Sequence, residues 1–173
     1  MASGAHSKLV QALPEYSWSR GSLDIFDCVR RSAMNAEKIL NGSCLCGAVQ
    51  IRIQGAQYTS AICHCTHCQK QSGSAFSTVL IIPSALLNIS GELSEYIDRT
   101  SDGRHVSRRF CSICGSPIQT ESEATEKAGI SVIKAGLLEG GAPSPVLEIF
   151  CDRTLGWIPH LGDHPRFPES MPG

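Results

Sequence analysis

Polar and apolar residues alternate along much of this chain. Val49, Ile51 and Ile53 are interleaved with Gln50, Arg52 and Gln54, the period-two pattern of a strand with one face buried. Further strand candidates are 58–62, 75–82, 94–99, 105–110, 117–121, 130–135 and 146–151. Gly55, Gly73, Pro83, Gly91, Gly103, Gly115, Gly140 and Pro143 separate them. Many short strands with turn residues between them predict a mainly β fold, a barrel-like or sandwich arrangement of folded sheets. The first 37 residues break the pattern. Leu23, Phe26, Val29 and Ala33 recur at helical spacing behind Ser22, a suitable cap, which predicts a helix over 23–34 in an otherwise irregular or poorly ordered arm. The chain therefore divides into an extension, 1–37, and one β domain, 38–173. The Pro- and Gly-rich tail from Trp157 is expected to lie on the barrel as coil.

Composition narrows the function classes. A chain of 173 residues suffices for a single core. A formal net charge of -1 supplies no basic footprint for nucleic acid. No run of about 18 apolar residues is present, so no membrane span is expected. The start lacks a charged segment leading into an apolar one, so cytoplasmic residence is expected. The absence of acidic residues before Glu15 leaves organelle import open.

Nine cysteines change the picture most. Seven fall into three tight groups: Cys44 and Cys46; Cys63, Cys65 and Cys68; Cys111 and Cys114. Such groups in a leaderless chain point to thiolate metal ligation rather than disulfides. Two pairs from distant segments, Cys44/Cys46 and Cys111/Cys114, can close a four-thiolate zinc site that holds structure. The group Cys63-His64-Cys65-Thr66-His67-Cys68 offers three thiols on one loop. Three protein ligands and one exchangeable position is the pattern of a catalytic zinc, and a small thiol could fill the fourth place as thiolate. Alternatively, His64, His67 or a distant residue closes that site. A different pairing of the cysteine loops, leaving three thiols free, is also compatible with the spacing.

The stretches GSCLCGAV (42–49), CHCTHCQKQSGSAF (63–76) and FCSICGSP (110–117), with the tail containing Trp157 and Phe167, resemble the glutathione-dependent formaldehyde-activating enzyme family over residues 38–172. The resemblance implies a fold shared with methionine-R-sulfoxide reductases and Rab-accessory proteins, and two zincs per chain. It assigns Cys44, Cys46, Cys111 and Cys114 to the structural zinc and Cys63, Cys65 and Cys68 to the second. It also implies a carbon–sulfur lyase of the S-(hydroxymethyl)glutathione synthase kind, with glutathione as co-substrate. The partner would be a small-molecule thiol adduct of formaldehyde or, given the extension, of a larger electrophile.

Other residues have two readings each. The Gly73 and Ser74 amides could bind a glutathione carboxylate or form a plain turn. Arg104, Arg108, Arg109, Gln69 and Lys70 could engage substrate or line a solvated face, the second being the expectation. His105, His160 and His164 are remote candidates for proton transfer, whereas His64 and His67 flank the metal loop. Cys151, in the apolar run VLEIFC, reads as a small buried hydrophobe, Cys28 as a spectator, and Trp157 and Phe167 as core. The competing function is a non-catalytic, zinc-stabilised module that binds a protein. Such a module needs only the four-thiolate site and leaves Cys63, Cys65 and Cys68 without a purpose.

The extension is expected to be dispensable for folding. A chain beginning at Asn35 should stay soluble and keep its metal. Insolubility of that shortened chain would place the helix against apolar domain surface.

Overall fold

The computed structural model describes residues 39–100 and 103–170. The helix expected at 23–34 and Cys28 lie outside the described residues. The chain forms β1 (Ile39–Ser43), β2 (Gln50–Gln54), β3 (Thr59–Cys63), α1 (Thr66–Ser72) and β4 (Ser77–Pro83). It continues with β5 (Leu87–Ser90), β6 (Leu93–Arg99), β7 (His105–Cys111), β8 (Pro117–Ser122), α2 (Glu123–Lys127), β9 (Ile130–Lys134) and β10 (Leu147–Ile149). The fold is mainly β, as the alternation predicts. Every expected strand is present, shifted by a residue or two at its ends. β1, β5 and both helices are additions. β1 (ILNGS) and β5 (LNIS) are short and carry polar or glycine residues, which hides their period.

Two sheets share the work. A three-stranded sheet has the order β1-β2-β5, and a seven-stranded sheet the order β10-β3-β4-β9-β8-β7-β6. All neighbours are antiparallel except β10, which runs parallel to β3 at the edge. Residues opposite one another in a ladder share a face. Ala61, Val79 and Lys134 are in register, as are Cys63 and Ser77, so one face of the large sheet carries Cys63 and Lys134. The other face carries Ile62, Leu80, Ile133 and, opposite Ile62, Glu148. His64 continues past β3 in step, its amide donating to the Ile149 carbonyl at 3.0 Å.

The main core lies between the sheets. Val49, Ile51 and Ile53 from the small sheet meet Leu80, Ile82, Ile118 and Ile133, all essentially without solvent contact. A smaller cluster on the opposite face joins Ala61, Val79 and Leu147 to Val132, Ile149 and Phe167. Phe167 thus packs as expected. Trp157 does not: it is 74% exposed, in a turn closed by the Ile158 amide on the Leu155 carbonyl. Among the described residues no helix is long and apolar enough to cross a membrane.

Gly91, in the turn from β5 to β6, has φ of 108°. A Cβ there would collide with the Ala48 carbonyl and lie 2.9 Å from Val49 Cα, inside the loop that follows Cys46. Gly91→Ala combines backbone strain with a clash against main chain. It should lower stability by about 2–4 kcal/mol, read by urea unfolding.

Candidate active site

Cys44 and Cys46 follow β1, and Cys111 ends β7. The four sulfurs of Cys44, Cys46, Cys111 and Cys114 lie within 4.8 Å of one another. Cys44 Sγ is 3.5 Å from Cys46 Sγ, which is 3.8 Å from Cys111 Sγ. Sulfurs on a tetrahedral zinc with bonds of about 2.3 Å sit roughly 3.8 Å apart, so this donor set fits that ion. Main-chain turns shape both loops. Cys44 N–H donates to the Val49 carbonyl and Cys111 N–H to the Ser116 carbonyl. The Val49 amide reaches Cys44 Sγ at 3.2 Å, and the Leu45 amide reaches Ser116 Oγ at 3.1 Å. A hydrogen bond with the Ser116 hydroxyl, then the Ser116 amide, holds the Cys114 thiol down to about 5. Donors that favour sulfur as thiolate prepare the site for a cation.

The second group is built where β3 runs into α1. Cys63 ends the strand, Cys65 caps the helix, and Cys68 lies in the first turn, its amide donating to Cys65 Sγ at 3.3 Å. Their sulfurs also lie within 4.8 Å of one another. Among the described residues no fourth His, Cys, Asp or Glu joins them at that spacing. His64 faces away from this group, and His67 is bound to Asp98 instead, Nδ1 to Oδ2 at 2.6 Å. Hydrogen bonds from Cys63 and Cys68 hold the Cys65 thiol down to about 2. Its hydrogen bonds with Cys65 and Cys68 push Cys63 far up. Cys68 is raised too: the bond with Cys63 lowers it, but the bond with Cys65 and burial outweigh that. The trio therefore favours one thiolate readily, and a second or third only with a cation present.

Two basic side chains, each under 10% exposed, share this face. Lys134 donates to Ser77 Oγ at 3.2 Å, and burial lowers its affinity for a proton while the nearby Cys68 thiolate restores some of it. Arg108 donates to Asp98 Oδ2 at 2.7 Å and to Gln71 Oε1 at 3.1 Å. Burial acts to raise the Asp98 carboxyl, but bonds from His67 and Arg108 prevail and depress it. A cavity of about 420 Å³ is lined by His67 and Lys70 of α1 together with Tyr96, Asp98, Arg108 and Phe110, among others; the three thiols themselves are not in its lining.

The remaining candidates sort by position. Arg108 was expected on a solvated face and is buried instead, because Asp98 on β6 and Gln71 on α1 satisfy it. Arg109 stays on the surface with Glu95 and Glu121. Arg104, His105 and His160 are exposed and away from the cluster's lining, and Lys70 is exposed at the cavity. Gln69 is structural: its amide donates to the His64 carbonyl at 2.8 Å and the Arg153 carbonyl at 2.9 Å. The Gly73 and Ser74 amides both donate to the Gln69 carbonyl, closing α1 with Gly73 in left-handed conformation, so both donors are engaged. Cys151 is not a buried hydrophobe. It begins a short 3-10 turn after β10, half-buried beside His64 and Glu148. Lys134, Asp98 and Glu148 are the residues that sequence reasoning missed. A charge set within ISVIK or VLEIF, otherwise apolar strands, was the available signal.

Comparison with known proteins gives the family. One curated relative, from Emericella nidulans, is named "Putative glutathione-dependent formaldehyde-activating enzyme". It is 25% identical over 133 residues, 75% of this chain, and the chain spans 64% of that relative's length. A crystal structure of a Rhodobacter sphaeroides protein aligns with TM-score 0.48 and 19% identity, over 73% of this chain and 98% of that one. Residues 39–153 match the profile of the glutathione-dependent formaldehyde-activating enzymes, a stretch that contains all seven clustered cysteines, and the chain belongs to that family.

Proposed function

We propose that this chain makes or breaks the carbon–sulfur bond of a glutathione adduct, of formaldehyde or another electrophile, at a zinc held by Cys63, Cys65 and Cys68. The observation that carries the reading is a trio of thiols with no fourth His, Cys, Asp or Glu beside them among the described residues, at the start of α1, whose His67 and Lys70 line a neighbouring cavity. Cys44, Cys46, Cys111 and Cys114 would hold a second, structural zinc. A zinc bound by three thiolates supplies an open position at which a small thiol is held as thiolate at neutral pH.

The chain's own groups define the rest. Lys134 and Arg108 offset the negative charge that thiolates accumulate on this face. Lys70, at the cavity rim, suits a substrate carboxylate, and glutathione carries two. Asp98 fixes the His67 ring through Nδ1, which leaves Nε2 to hold a proton. In the synthetic direction the glutathione sulfur bonds to the formaldehyde carbon, the C=O π pair moves to oxygen, and that oxygen takes the proton. His67 lines the cavity, and its Nε2 would be the atom that gives this proton. The reverse reaction returns the proton to Nε2 as the carbon–sulfur bond breaks.

Elemental analysis of the purified protein, before any zinc is added, should find two zincs per chain, one for each cysteine site. Cys111→Ser should cost on the order of 3 kcal/mol or more, because that centre joins distant segments. Cys65→Ser should stay folded, lose one zinc and lose turnover of S-(hydroxymethyl)glutathione. If instead it unfolds as badly as Cys111→Ser, the second site is structural and the protein-binding reading prevails. Lys70→Ala should raise KM for the adduct about tenfold with kcat little changed, the loss of one charge-assisted hydrogen bond. Steady-state kinetics on the two sides of that split decide the role of the rim.

A further inference from the structure

The opposite face of the large sheet holds a third cluster of metal-binding atoms that the proposed chemistry does not use. His64 and Glu148 are fully buried, and His64 Nε2 lies 2.7 Å from Glu148 Oε2. Cys151 Sγ joins them, with the three donor atoms within 4.8 Å of one another. His164 Nε2, from the tail, meets the second carboxylate oxygen at 2.9 Å. The sheet register separates this group from the Cys63 trio: His64 and Glu148 share the face of Ile62, whereas Cys63 lies on the other.

We propose that His64, Glu148 and Cys151 form a third metal site, suited to a zinc-class divalent cation. An imidazole, a carboxylate and a thiol are a donor set such ions take, and a half-buried Cys151 leaves one side open for a water ligand. One observation goes beyond an ordinary buried ion pair. Phe150 has φ of 57°, the sole positive value outside glycine among the described residues, and it ends β10 in a turn that returns Cys151 to Glu148. A His–Glu pair alone needs neither the thiol nor that turn. Arg166 is the counter-charge when no cation is present. Its Nε stands 3.4 Å from Glu148 Oε2 without a hydrogen bond, so it occupies no fixed lone pair of the carboxylate. His164 orients the carboxylate from the far oxygen. The site would cross-link the metal loop's His64 to the strand and tail that cover it.

The test follows alkylation of Cys151 by iodoacetamide in the full chain, residue by residue by peptide mass spectrometry, with and without added ZnCl₂. Zinc should slow labelling of Cys151 at least tenfold. Glu148→Gln should abolish that protection, and His164→Ala should weaken it. Cys65→Ser, which disables the neighbouring trio, should leave it intact. Equal rates with and without zinc overturn the proposal. So does protection that survives Glu148→Gln, or that vanishes in Cys65→Ser, since the metal would then belong to the trio. Because Glu148→Gln alters a buried ion pair, metal is also counted after dialysis against excess ZnCl₂. Cys151→Ala, at a half-buried turn, should hold one equivalent fewer than the unaltered chain, and an equal count overturns the site.

Discussion

Two sheets that share no strand bring four sulfurs together at one end. Cys44 and Cys46 leave the small sheet, Cys111 ends a strand of the large one, and the turn to Cys114 completes the set. The apolar core between the sheets is non-directional, and it tolerates sliding of one layer on the other. A cation held by all four thiolates would not. Its fixed geometry would set the offset between the layers, and with it the placement of the loops that continue from each. The Val49 and Ser116 contacts within the two cysteine loops shape the backbone that brings the sulfurs together.

The two faces of the large sheet then take different tasks. One face is sealed by the small sheet and by the buried His64–Glu148 pair. The other carries Cys63, Lys134 and Arg108, and of these Arg108 lines the cavity. Burying two basic side chains is unfavourable unless negative charge or hydrogen-bond acceptors are close by. Asp98 and Gln71 serve Arg108, and Ser77 with the thiolates serves Lys134. The electrostatics of this face are therefore tied to the ionisation of sulfur, whereas in the four-cysteine centre the thiols have each other and neighbouring amides and a hydroxyl, with no basic side chain among the causes of their shifts.

Legibility in the sequence followed the physics of each signal. Strand β2 was readable because one face is buried and the period is two, whereas β3 and β4, buried on nearly every residue, and the exposed β6 were readable as short runs set off by glycine and proline. β1 and β5 were not, since four or five residues with glycine, asparagine and serine leave too little contrast. The cysteine groups were readable because ligand spacing is local. What lies opposite them is not local: Arg108 looked like a surface residue until Asp98 appeared ten residues earlier on the paired strand. Trp157 was taken for core on size alone, and Cys151 for a passive filler on the apolarity of its neighbours. Glu148 and Lys134 were hidden inside apolar strands, although a lone charge in such a strand must find a partner.

The separation of the two cysteine pairs has a consequence for biogenesis. Cys46 and Cys111 are 65 residues apart. At a synthesis rate of about 5–20 residues per second, Cys111 is added to the growing chain roughly 3–13 s after Cys46. During that interval Cys44 and Cys46 are neighbouring thiols without their partners, open to oxidants and to opportunistic metals. The completed Cys63, Cys65 and Cys68 loop precedes Cys111 as well, so it can load first. A nascent chain of this protein would meet its metal in the reverse order of structural importance, and cellular thiol reductants would guard the pair that waits.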